Sequence, residues 1–78
     1  MPDIRTQISK IDEQILTLLS QRITLCQEAH EESHDAMGPE DQMEMLGEWE
    51  GVADERGWSM NAITRIFKGI ADLCRTAE

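Results

Sequence analysis

Arg22 stands where a leucine or isoleucine is expected. Ile4, Ile8, Ile11, Ile15, Leu18, Arg22, Leu25 and Ala29 follow one another at spacings of four and three without a slip. That alternation lines them up on one stripe of a long α-helix. All but Arg22 are apolar, so the stripe is expected to be buried. A guanidinium keeps its charge and presents five N–H donors, and a buried one without an anion is strongly destabilising. Two kinds of anion would satisfy it: a carboxylate of the protein or a ligand. Arg5 lies beside the same stripe, about 25 Å away along the helix axis at 1.5 Å per residue. One helix cannot bring both arginines to one small ligand. In an antiparallel pair of such helices, Arg5 of one chain approaches Arg22 of the other, and two subunits together build an anion site.

Other chemistry-bearing residues are weaker candidates. His30-Glu31-Glu32-Ser33-His34 matches the H-E-x-x-H pattern in which two histidines one turn apart share a zinc ion and the glutamate activates its water. Such a site needs a third ligand, a substrate cleft and usually a sheet edge, and the chain offers no sheet and only charged flanking residues. The expectation is therefore no metal and no cofactor, with solvated histidines near a helix C-terminus. Cys26 and Cys74 sit within helical patterns and are too few for a disulfide framework. They are expected to be free thiols, inert in packing, of a cytoplasmic protein. Met45, Trp49 and Met60 fall at core spacing and read as core filling.

These residues must be positioned by helices. The first is expected from about Asp3 to about His34, a span without Pro or Gly. It is nearly 50 Å long at 1.5 Å per residue, longer than a compact 78-residue globule is wide, since such a globule has a radius of gyration of ~12 Å. The stripe is therefore expected to pair with its copy in a second chain. Gly38-Pro39 ends one helix and starts the next, with Glu40 and Asp41 suited to the new N-terminus. The second helix presents Met45, Leu46, Trp49, Val52 and Ala53 and stops at Gly57. Ser59 is the expected N-cap of the third, whose buried face reads Met60, Ile63, Ile66, Phe67, Ile70, Leu73, Cys74 and Ala77. The reading is an all-α fold of three helices in one domain, residues 1–78, that pairs with a second copy of itself.

Composition narrows the function. The chain carries 16 acidic and 7 basic residues, a net charge of −9. That argues against binding nucleic acid or an anionic membrane surface. It also disfavours an anionic ligand unless cations are gathered in one pocket. No apolar run is long enough to span a membrane, and the start, Met-Pro-Asp-Ile-Arg, shows no secretory signal pattern, so no leader is expected.

Several segments resemble the all-helical AroQ class of chorismate mutases. Ile4-Arg5, Ile8, Ile11-Asp12, Ile15, Leu18-Leu19 and Arg22 are similar to that family's first helix, and Ile63-Thr64-Arg65-Ile66-Phe67-Lys68-Gly69-Ile70 to its third. The resemblance implies an intertwined dimer that rearranges chorismate to prephenate without a nucleophile or cofactor. Arg22 would grip a carboxylate and Arg5 would enter from the partner subunit. The remaining positions depart from the pattern. The family lysine eleven residues after Arg22 is Ser33. The family's Asp-x-x-Arg-Glu reads Gly38-Pro39-Glu40-Asp41-Gln42, so its arginine has become Asp41 and its glutamate Gln42. The family serine is Cys74, and the family glutamine aligns with Glu78.

Arg22, Arg5, Gln42 and Glu78 are thus the candidate catalytic residues, Gln42 as a neutral donor and Glu78 as a protonated one. Arg5, Arg22, Ser33 and Cys74 are the candidate substrate-binding residues. Removing one donor aimed at developing negative charge lowers a rate by about 10²–10³. Activity is therefore expected to be weak or lost. The alternative is a non-catalytic dimer that serves as a structural or regulatory interaction module, with Arg22 paired to Asp41, Glu78 or another carboxylate, or that binds another protein.

Overall fold

The computed structural model describes residues 3–33 and 35–76. They form three helices: α1 (Ile4–Glu32), α2 (Pro39–Arg56) and α3 (Met60–Thr76). α1 begins where Asp3 turns extended and its Oδ1 accepts the Thr6 N–H at 2.8 Å. These hydrogen bonds hold the Asp3 carboxyl below its ordinary value of 3.8, because they favour the ionised form. The helix ends at Glu32, earlier than expected. Ser33 swings to φ −154°, ψ 127° while its N–H still donates to the Ala29 carbonyl. α2 starts on Pro39, whose fixed φ suits the first turn. It stops at Gly57, where φ is +71° and the N–H groups of Gly57 and Trp58 close back on the carbonyls of Ala53 and Asp54. Ser59 caps α3 as expected, its Oγ accepting the Ala62 N–H at 3.2 Å.

α3 packs against both other helices. The core is where the three meet: Cys26 of α1, Ala53 of α2, and Ile63, Phe67 and Cys74 of α3 are buried. Trp49 meets Phe67 edge-on, ring centroids 5.4 Å apart, an arrangement favoured by the ring quadrupoles. Thr64 Oγ1 donates to Glu50 Oε2 at 3.1 Å and adds a polar tie between α2 and α3.

Met60, Ile66 and Leu73 of the expected α3 face and Val52 of α2 are exposed, and two larger sequence expectations also change here. First, the apolar stripe of α1 is not what the rest of the chain covers. Residues 3–18 are all exposed, with Ile4 at 72% and Ile8, Ile11 and Ile15 each more than half accessible. The inward face is instead Leu19, Arg22, Ile23, Cys26, Ala29 and His30, while Leu18 and Leu25 of the stripe stay exposed. The physical reason is length: α3, of 17 residues, packs against only one end of a 29-residue helix, and α2 packs mainly on α3. Accordingly the chain exposes 6410 Å², whereas a compact monomer of 8.9 kDa exposes about 4,800 Å². Its radius of gyration is 14.8 Å against about 11.5 Å for a compact chain of this length.

Second, the two cysteines are not free. Cys26 and Cys74 form a disulfide across α1 and α3, with Cα atoms 6.2 Å apart. Two residues 48 positions apart become neighbours because each lies on the inward face of its own helix. The bond also removes the argument from free thiols to a reducing compartment, since disulfides persist where conditions are oxidising. No helix among the described residues is long and apolar enough to cross a membrane.

Candidate functional site

The packed end of the bundle carries a half-open cavity of about 680 Å³, within the size range of small-molecule sites. Its wall takes in the turn before α2, the start of α2 and the second half of α3, with His30 from α1. Phe67, Leu46, Met43, Met37 and Ala71 make most of that wall apolar.

Arg22 lies just outside this lining, behind Phe67. Its guanidinium carbon sits 5.6 Å from the Phe67 ring centroid, and its Nη2 donates to Met45 Sδ at 3.7 Å. Nη1 is buried and has no hydrogen-bond partner. A thioether is a weak acceptor, and a ring face offsets about 0.5–2 kcal/mol. Neither replaces a carboxylate. Arg22 makes no ion pair with any described acidic residue, and Asp41 in particular is occupied elsewhere. Pairing with Glu78 lies outside the described residues.

The turn between α1 and α2 accounts for Asp41 and Gln42. Met37 adopts φ +59°, a left-handed conformation unusual for a residue with a long side chain. Asp41 Oδ2 accepts the Met37 N–H at 2.9 Å, and Gln42 Nε2 donates to the Met37 carbonyl at 3.2 Å. These two side chains therefore clamp the backbone of one strained residue from both sides. Gln42 also lines the cavity, and its Oε1 is buried without a hydrogen-bond partner. The amide expected to act as a donor uses its nitrogen on Met37 and leaves an acceptor open. An acceptor suits a ligand hydroxyl rather than an oxyanion.

The other expected site residues are scattered. Cys74 lines the cavity, but as half of the disulfide it has no S–H to donate. Ser33 is exposed at the C-cap of α1 and is not part of the cavity wall. Its departure from the helix takes it off the face it would have shared with Arg22. Arg5 is exposed on the far half of α1, so a single chain does not bring it to Arg22. Glu78 and His34 lie outside the described residues. His30 is half-buried and lines the cavity, and among the described residues no group of three or more His, Cys, Asp or Glu is placed to hold a metal ion.

The cavity also contains charged residues that the sequence reading passed over. Lys68, Asp72 and Arg75 of α3 line it beside Ala71 and Cys74. Arg75 pairs with Asp72 one turn before it. Their spacing of four and three was a readable signal, a polar stripe running beside the apolar face of α3.

Residues 4–78 match the family model described as chorismate mutase type II. No curated protein and no solved structure matches the chain.

Proposed function

Because this chain belongs to the chorismate mutase type II family, we propose that its cavity binds a chorismate-like dicarboxylate and that turnover to prephenate is weak or absent. The observation that carries this reading is Arg22: a guanidinium set into the packed end of the bundle, Nη1 buried, with no described carboxylate against it. A cation held that way is complementary to an anion from solution. Arg22, behind Phe67, would hold a carboxylate once that ring turns aside, and Gln42, in the cavity wall, would contact a ligand hydroxyl. Rearrangement within one molecule needs positioning and stabilisation of developing charge, not a nucleophile. Ser33 and Asp41 supply no cation for that charge, which is why turnover should be poor.

A homodimer belongs to the same reading. The uncovered stripe of Ile4, Ile8, Ile11, Ile15 and Leu18, together with an excess surface of about 1,600 Å² over the monomer expectation, fits a stable interface between copies of this chain. Antiparallel pairing would bring Arg5 of a second copy towards Arg22. Glu78 would serve as a protonated donor if it reaches the cavity. The cytoplasmic location expected from the sequence is now in tension with the disulfide.

Calorimetric titration with chorismate and prephenate, alongside ultraviolet loss of chorismate, tests the proposal. Binding is expected, with turnover at least about 10³-fold below an efficient enzyme. Arg22→Met, which keeps the bulk, should weaken binding by about tenfold or more. Absence of binding of either compound by the wild-type chain overturns the reading. It would then favour a non-catalytic dimer acting as an interaction module. One observation already favours that second reading: Asp41 and Gln42 are engaged on Met37, and Cys74 is engaged on Cys26.

A further inference from the structure

Resting on the dicarboxylate reading, we infer that the second anion contact of the cavity has moved to α3, where Lys68 and Arg75, with His30 of α1, receive a carboxylate at the cavity mouth. The positions where the family resemblance would place cations do not provide them. Ser33 is exposed at a helix end, and Asp41 is an acid bound to the Met37 N–H. Lys68 and Arg75 do line the cavity, one face of α3 carrying both. In a chain with a net charge of −9, a cavity wall with Lys68 and Arg75 against Asp72 is locally net positive. Elsewhere Arg56 is stacked over Trp58, and Arg5 and Lys10 stand on the exposed half of α1.

The chemistry favours a ligand with an anionic end and an apolar body. Lys68 is exposed and the Arg75 side chain is 72% exposed, so both reach solvent while the deeper wall is Phe67 and Leu46. Asp72 opposes the site by pairing with Arg75. That pair is solvent-screened at 72% and 62% exposure, and pairs of this kind are weak. A ligand carboxylate offering bidentate geometry can displace it. The α3 cations then address the ligand from the cavity mouth, while Arg22, behind Phe67, lies outside the cavity wall.

Calorimetric titration of the full oxidised chain with chorismate tests this, comparing wild type with Arg75→Ala, Lys68→Ala and Arg65→Ala. Arg65 is an exposed α3 arginine outside the cavity wall. Arg75→Ala and Lys68→Ala should each raise Kd by about tenfold, with Arg65→Ala within about twofold of wild type and helical content unchanged in all three. Wild-type binding that Arg75→Ala and Lys68→Ala leave intact overturns the α3 site while leaving the dicarboxylate reading standing. Wild-type binding of neither chorismate nor prephenate overturns both. Equal losses in all three variants would point to bulk charge and also overturn the α3 site.

Discussion

The two halves of α1 have the same sequence character and opposite fates. From Ile4 to Leu18 the helix carries a regular apolar stripe, yet every residue there is exposed. From Leu19 onward it is clamped against α3, bonded to it through Cys26, and carries the one stripe arginine into the packed end. Hydrophobic periodicity reports that a face will be covered but not by what. The far half is patterned for burial that this chain does not itself supply. The near half is held by a bond that the pattern does not reveal.

The largest effect that would break this contrast is loss of the tether. In the chain-entropy model, a disulfide closing a 48-residue separation contributes about 4 kcal/mol, and for a domain of this size that corresponds to a Tm change of about 15–30 °C. Cys26→Ser/Cys74→Ser, or added reductant, should lower the Tm on that scale, read by circular dichroism. A Tm unmoved by either would mean that packing alone holds the near half.

Next in size is the far half. Placing charges on the stripe with Ile8→Asp/Ile15→Asp should raise the dimer dissociation constant by about 100-fold or more, given the cost of burying unpaired carboxylates. Sedimentation equilibrium checks it. A wild-type chain that sediments as a monomer throughout would remove the contrast altogether.

The smallest effect concerns Asp3, which caps the far half. Its carboxyl titrates below 3.8 in the folded chain because the Thr6 N–H binds the ionised form. The cap therefore contributes fully above the unfolded value and is lost as pH falls through the folded one. Hydrogen exchange of the first turn of α1 should accelerate below about pH 4 relative to the middle of the helix, and Asp3→Asn should flatten that dependence.

Much of this architecture was legible. The four-three spacing, Pro39, Gly57 and Ser59 mark the helices and their ends because each acts through local backbone chemistry. The disulfide was not legible: Cys26 and Cys74 become neighbours only when two inward faces meet, and no spacing rule encodes that. The site was legible in part. Arg22 announced itself as a charge in an apolar stripe. The occupation of Asp41 and Gln42 did not, because it depends on Met37 taking a positive φ, which a methionine gives no reason to expect. Lys68 and Arg75 were readable as a stripe but were overshadowed by the apolar face beside them.

The bond between Cys26 and Cys74 also changes the chain's topology. Residues 26–74 become a closed covalent ring, and residues 3–18 are an exposed arm projecting beyond the part of α1 packed against it. In the proposed dimer, two such molecules would associate and separate by laying down or withdrawing their arms, with neither ring opened. Mixed with a differently tagged copy, the oxidised protein should therefore exchange subunits at a rate set by release of the arm's isoleucines, independent of how firmly the ring itself is folded.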